Sequence, residues 1–355
     1  MKTDILSTGL LDSCLPNMII NIPSKLDLHV DREDKIIALE NIIKSHGEGK
    51  HLIWMHAETI KELSHIDEFG HFTKRTLNAL ISQSTEYAYI HKQFDFHVSV
   101  NFEDKHALSY SDKVLNAGYL KFLDSASTQQ PILLAENDHD GEIYCWGAKT
   151  YLQIRSLNSL KVNIEILSGG GSTTYDCFTR LNSGLRFFAC YVDSDKCHPR
   201  WPLGSTATRF KYISPGYKGR RYLEILDCHE VENIIPWKVL NALHKEKLEN
   251  SLVHKSENIS FRTYPDHKSG LTVGDALAND RAHHDNYWGK FKDFSPDTEL
   301  CPGFGEGLLK QSVEYVSRLS PKSSKAHVDE TIDSEWLKVS RSIASWGVSG
   351  RGLLS

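Results

Sequence analysis

The sequence predicts an α/β protein: a parallel sheet flanked by helices, with a mixed α/β segment before it and a mainly helical region after it. Short apolar runs alternate with helical patterns between residues 131 and 227, as βαβ units do when both faces of a sheet are covered. Acidic residues close several of these runs, and an open α/β sheet collects its ligand groups beyond the carboxyl ends of its strands. At 355 residues, and about 150 per domain, the chain has room for two or three domains and a sizeable core.

Each element follows from local pattern. Residues 1–128 are expected to form an accessory or interaction domain. DREDKIIALENIIKSHGEG (31–49) opens on acids, keeps Ile36, Leu39 and Ile43 on one helical face and stops at a glycine. LIWMHAETIKELSHIDEFGHF (52–72) and TKRTLNALISQSTEY (73–87) read as helical, and FDFHVSVNF (94–102) alternates as a strand. ASTQQ (126–130) reads as a linker into a core spanning 129–240. There PILLA (131–135), VNIEIL (162–167), LRFFACYVD (185–193) and YLEILD (222–227) read as strands, with helices from GEIYCWGAKTYLQIRSL and TTYDCFTRLNSG between them. Residues 241–355 are expected to be mainly helical, and those up to about 294 to complete the site. PKSSK reads as a hinge-like break, and Ser334 as the N-cap of SEWLKVSRSIASW, which carries Trp336, Val339 and Ile343 on one face.

Composition narrows the function classes. A hydrophobic fraction of 40% and a charged fraction of 25% are those of a globular chain, not of a disordered or collagen-like one. No apolar stretch approaches ~18 residues, so no membrane span is expected. The opening MKTDILSTGLLDS has an early Asp and no apolar run behind it, so no secretory signal is expected either. Seven cysteines without framework spacing fit reduced thiols in a cytoplasmic protein. With 41 Lys and Arg against 46 Asp and Glu, the formal charge is −5, so any site for a polyanion must be local.

The chemistry-bearing residues cluster at strand ends. Glu136, Asp138, Asp140 and Glu142 follow PILLA, and YVDSDK presents Asp193 and Asp195 two apart, on one side of an extended chain. Carboxylates converging on one cleft repel unless a cation compensates, and Mg²⁺ prefers such oxygen ligands. HEVENIIP adds Glu230, Glu232 and Asn233, acids that also suit a helix start. Residues 196–221 contain Lys196, Arg200, Arg209, Lys211, Lys218, Arg220 and Arg221 and no acid, with Trp201, Phe210, Tyr212 and Tyr217 interleaved. Such a segment suits phosphate neutralisation and base stacking, or a solvated loop. SGGGSTTYD reads as a turn with Thr173 and Asp176 as a capping box, its amides either structural or turned toward a phosphate.

Taken together, these motifs resemble the Toprim fold and, more narrowly, the Toprim nucleases of the OLD (overcoming lysogenisation defect) family and related bacterial anti-phage defence effectors. LLAENDHDGEIY is similar to the family's strand-Glu pattern, with Asn137 in place of the usual glycine; FFACYVDSD resembles the DxD strand and HEVENIIP the E-x-E-N turn. NYWGKFKDF is similar to a later lysine-bearing segment, with Lys290 or Lys292 as charge stabiliser. The resemblance covers about residues 130–294. It implies a Toprim-like sheet and a metal-dependent endonuclease. Glu136, Asp193 and Asp195 would hold Mg²⁺ or Mn²⁺, with Asp140, Glu230 and Glu232 around a second ion and Lys290 offsetting transition-state charge. The substrate would be DNA or RNA. An ABC-type ATPase partner would be a separate chain, because there is no Walker A motif, and a homo-oligomer is compatible. The alternatives are a non-catalytic scaffold that binds nucleic acid or an ATPase, and a primase- or topoisomerase-like enzyme. Zinc on Cys190, Cys197–His198 and Cys228–His229 lacks any CxxC support, and His283–His284–Asp285 reads as a polar surface cluster.

Overall fold

The computed structural model describes residues 18–87 and 89–353. The segment read for a secretory signal, and residues 1–17 of the first expected domain, lie outside the described residues. The chain is mixed α/β, with parallel-dominated sheets flanked by helices. The first sheet is built from β1 (Ile19–Asn21), β2 (Leu52–Trp54), β3 (His97–Asn101), β4 (Leu108–Ser111) and β5 (Val114–Gly118), in the order β2-β1-β3-β5-β4. Only the β4–β5 pairing is antiparallel. Helices α1 (Arg32–Gly47), α2 (Ala57–Ser64) and α3 (His71–Tyr87) belong to the same region. The stretch expected to be helical over 52–72 divides instead, because the buried Leu52 and Ile53 pair with β1 and His56 is extended.

The second sheet contains β6 (Ile132–Ala135), β8 (Glu165–Ser168), β9 (Phe188–Val192), β10 (Gly216–Lys218) and β11 (Arg221–Ile225), in the order β10-β11-β9-β6-β8; β7 (Lys161–Val162) lies outside it. Its inner pairings are parallel and β10 closes one edge antiparallel. Alternation explains its burial. Ile132 and Leu134, with Phe188, Cys190 and Val192, join one apolar cluster, whereas Leu133, Ala135, Ala189 and Tyr191 join the large core that also contains the first sheet. Helices α4 (Asp138–Ile154), α5 (Thr174–Ser183) and α6 (Ser205–Thr208) connect these strands. The chain leaves β6 for β8 on one side and returns to β9 on the other, so a topological switch point lies between β6 and β9.

The C-terminal region contributes α7 (Trp237–Asn250), β12 (Gly270–Thr272), α8 (Val273–Ala282), β13 (Glu299–Pro302), α9 (Leu308–Val316), α10 (Pro321–Ala326), α11 (Ser334–Gly347) and β14 (Val348–Ser349). PKSSK is not a break but α10, because Ser320 caps it and Pro321 starts it. The residue at the N-cap of α11 is Asp333 rather than Ser334; its carboxylate accepts from the Trp237 amide at 3.0 Å. Helix α11 wedges between the sheets. The Trp336 ring meets Trp146 of α4 at 5.5 Å, Tyr191 of β9 donates to Ser342 at 2.7 Å, and the Ser345 hydroxyl accepts from the Asp95 amide at 2.8 Å. Finally, β14 pairs with β7. Among the described residues no helix is long and apolar enough to cross a membrane.

The α4–α11 contact depends on Gly147, where a Cβ would sit 2.5 Å from Ser340 Oγ and 2.7 Å from the Trp336 ring. Gly147→Val is therefore expected to lose about 1–3 kcal/mol of stability through overpacking, read by chemical denaturation. An unchanged midpoint would show that this contact does not bear on stability.

Candidate metal centre

The switch point gathers the acids. Glu136 follows the last residue of β6, Asp193 follows the last residue of β9, and Glu230 and Glu232 lie in the turn beyond β11. Asp193 donates its backbone amide to Glu136 Oε1 at 3.0 Å, which fixes the two strand ends together. Burial, and then the charges of Asp140, Glu136, Glu232 and Glu230, push the Asp193 carboxyl far above its usual range. Burial likewise raises Glu136 to about 7, with Asp195 and Asp140 adding repulsion. Asp140 is raised to about 6 and Glu232 to about 7, burial again the largest cause.

Backbone and amide bonds hold these mutually repelling groups in place. The glycine turn wraps the end of β6: Gly169 N–H donates to Ala135 O at 2.8 Å, and Gly170 N–H to Glu136 O at 2.9 Å. Its amides therefore serve the fold, and Gly170 and Gly171 adopt φ of 73° and 59°. The expected Thr173–Asp176 capping box does not form. Thr173 donates back to Gly169 O, and Asp176 is drawn away by Arg209 at 2.8 Å. The buried Asn233 side chain donates to Arg262 O at 2.8 Å and Pro265 O at 2.7 Å and accepts from the Glu230 amide at 2.9 Å. It thereby ties the acidic turn to the segment carrying Lys268.

Lys268 is the counter-charge. Its ammonium lies 2.7 Å from Glu230 and 3.5 Å from Glu232. Burial alone would lower its pKa, but the Glu232 and Glu230 carboxylates override burial and raise it. Lys268 was not among the expected residues; its signal, a single Lys in the turn PDHKSG, is shared by any polar loop. The expected Lys290 is elsewhere: it donates to Glu257 O at 3.1 Å and Asn258 at 2.5 Å and lies over the Phe261 ring, which keeps it on the 256–263 turn, while Lys292 is exposed.

The other expected ligands divide. The strand ends at Val192, so alternation does not align Asp195 with Asp193. Asp195 takes φ 53°, and its carboxylate packs against Gly204, where a Cβ would lie only 1.8 Å from Oδ2. Its charge still reaches Glu136. Both Asp140 oxygens accept from Asn137, at 3.0 and 2.9 Å, and Asn137 accepts the Asp140 amide. Asp140 thus caps α4 while facing the cluster. Asp138 is exposed and Glu142 pairs with His139 on the outside of the helix. His229, Glu230 and Asp266 bring one ligand atom each within 4.8 Å of one another, beside the main cluster. The donor set is dominated by carboxylate oxygen, which suits Mg²⁺ or Mn²⁺.

The basic segment is not one surface. Lys196 and Arg200 are at the carboxylate rim; Arg200 is held there by Asp285 at 3.1 Å and by the His283 and His284 carbonyls. Lys218, Arg220 and Arg221 are at the amino end of β11, and Arg221 is opposite Phe188, the first residue of β9. Five residues of strand, about 16 Å, separate that rim from the acids. Arg221 is only 6% exposed and Arg220 is bound to Gly184 O at 2.5 Å, so these two support structure. Lys211 and Arg209 are exposed, with Arg209 over Tyr175. Of the interleaved aromatics, Phe210 is core, Tyr217 stacks with Tyr110 and Trp346, the half-buried Trp201 meets His283 edge-on at 5.1 Å, and Tyr212 is exposed at 87%. Cys190 and Cys228 are buried, and His198 is bound to Asp280 at 3.0 Å and stacked on His283, so these groups form no metal cluster. The Cys197 thiol lies 3.8 Å from His229 Nδ1.

Comparisons with protein-family models, curated proteins and solved structures found no match to this chain. The site's electrostatics make a test of their own. The raised carboxyls bind more protons folded than unfolded, so stability of the cation-free protein is fully present below the ordinary carboxylate range. It falls as pH rises from 4.5, the ordinary Glu value, through about 7. Thermal denaturation should show that fall, and added Mn²⁺ should reverse it above pH ~7. Asp193→Asn should raise the cation-free melting temperature there by about 1–2 °C per kcal/mol of repulsion relieved. A melting temperature rising with pH and indifferent to Mn²⁺ would contradict the cluster.

Proposed function

We propose that the protein is a Toprim-type, divalent-metal-dependent endonuclease that hydrolyses DNA or RNA phosphodiesters. The observation that carries this reading is the bond from the Asp193 amide to Glu136 across the switch point, which sets the Asp193 carboxyl within electrostatic reach of Glu136, Asp140, Glu230 and Glu232, with Lys268 for counter-charge. Nothing structural requires so many buried acids in one place. Stability alone would disfavour them.

In this reading Glu136 and Asp193 are the principal ligands, with Asp195, Glu230 and Glu232 around them and Asp140 limited to the oxygen lone pairs that its cap leaves free. A divalent cation held there supplies charge neutralisation at the scissile phosphate and acidifies the attacking water. The chain's own groups do the rest. Lys268, charged and anchored between Glu230 and Glu232, offers a positive group to the phosphorus centre as negative charge builds on its oxygens. Lys196 and Arg200 flank the same rim for backbone phosphates, and the exposed Tyr212 offers a stacking face. Water gives up one proton to solvent as its oxygen bonds to phosphorus, the bridging P–O bond breaks, and the leaving oxygen takes a proton back from solvent, so that one water is added across the bond.

The resemblance to OLD-type nucleases further suggests a cytoplasmic effector of bacterial anti-phage defence, alone or as a homo-oligomer, with an ABC-type ATPase as a separate partner. The scaffold reading draws on one specific observation, the capping bonds from Asn137 to both Asp140 oxygens, which leave each only one free lone pair. Incubating the purified chain with plasmid and with a tRNA, plus Mg²⁺ or Mn²⁺, separates the two. Cleavage should fall to background in Glu136→Gln and Asp193→Asn. Lys268→Met should lose about 10²–10³-fold, and Lys290→Met should keep near-full activity. Cleavage that survives Glu136→Gln would refute the site, and binding without cleavage at any cation would favour the scaffold.

A further inference from the structure

A second metal site lies apart from the carboxylates, among three side chains that the function above does not use. His254, in the turn after α7, His267, in the Lys268 loop, and Cys301 of β13 place one ligand atom each within 4.8 Å of one another, all buried. A tetrahedral zinc site sets such atoms about 3.3–3.5 Å apart, so a small contraction closes it.

The hydrogen-bond accounting points to an ion. Ser251 Oγ donates to Leu300 O at 3.1 Å and so accepts from His254 Nδ1 at 2.8 Å. That arrangement fixes the proton on Nδ1 and leaves a lone pair on Nε2, which is buried without a partner. A ring nitrogen held this way by a second group is the usual preparation of a metal-binding imidazole. His267 is fully buried with neither ring nitrogen hydrogen-bonded, although one faces the Glu232 carbonyl. A core histidine that packed only as a hydrophobe would leave these buried groups desolvated and unsatisfied. The two rings lie 5.1 Å apart, and Phe304 covers both, edge-on at 5.7 and 5.6 Å. Backbone bonds already hold the three elements: Val253 N–H donates to Leu300 O, and Phe304 N–H to His267 O at 2.8 Å.

We infer that His254 Nε2, His267 and the Cys301 thiolate bind one Zn²⁺, which pins the loop presenting Lys268. Binding releases the thiol proton to solvent, the two imidazoles donate lone pairs without proton exchange, and water takes the fourth position. The inference does not depend on the nuclease reading, because its readout is metal content.

The test is elemental analysis of the full chain, produced with zinc supplied and purified without chelator. About one equivalent of zinc per chain is expected, retained in Asp193→Asn and falling below about 0.1 in Cys301→Ser and His267→Gln. Should those variants fail to fold, the wild-type chain loaded with Co²⁺ still decides. A thiolate-to-cobalt charge-transfer band and tetrahedral d–d absorption support the site, and their loss on adding excess Zn²⁺ assigns it. Zinc-free protein without a cobalt spectrum, or full zinc retention in a folded Cys301→Ser, would overturn it.

Discussion

The structure turns on forcing like charges together at one rim of a sheet. Glu136, Asp193, Glu230 and Glu232 are brought together by where β6, β9 and β11 end, and a parallel sheet places all those ends on one side. Repulsion and desolvation oppose the arrangement, as the upward displacement of the carboxyls records. What opposes repulsion is rigid backbone together with the charge of Lys268. The Asp193 amide is bound to Glu136, Asp195 N–H to His229 O at 2.9 Å, and Ser194 Oγ to Cys228 O at 2.5 Å. Those bonds involve no cation, so they can organise the site before it is filled.

The single positive partner reaches the rim through Asn233. Its amide uses both protons on the 262–265 backbone, and its oxygen closes on the Glu230 amide. A buried amide with this many partners is specific in a way an apolar contact is not, because a shift of one residue would strand polar groups. Lys268 follows a few residues later, its turn closed by Asp266, which accepts from the Lys268 and Ser269 amides at 2.7 and 3.2 Å. The acidic turn and the basic turn are thus one unit. This is the physical sense of an Asn after the two acids.

How much of this was legible in the sequence follows from the range of each interaction. The buried strands PILLA, LRFFACYVD and YLEILD were readable because parallel strands covered on both faces are continuous apolar runs. Glu136 and Asp193 were readable because they sit where such runs end. Strand β2 was not, since three residues beside a helical pattern carry too little periodicity. Lys268 was missed and Lys290 expected in its place, because a lysine's partner is chosen by a fold-level contact that spacing does not encode. The basic segment was legible as composition but not as surface: one turn and one strand reversal send Arg220 and Arg221 to the opposite rim.

That split changes what the rim can do. Were Glu136, Asp140, Asp193, Glu230 and Glu232 all ionised, as ligation of a cation would require, their formal charge against Lys268 would be −4 (five acids less one lysine). Arg220 and Arg221 are about two Debye lengths away at physiological salt, too far to offset it. On the nuclease reading, a phosphodiester would therefore be repelled until cations arrive. One divalent ion leaves the cluster at −2, and two bring it to neutrality. Cation occupancy would then control substrate binding as well as chemistry, and Lys196, next to Asp195, would add positive charge at the rim once the ions are in place.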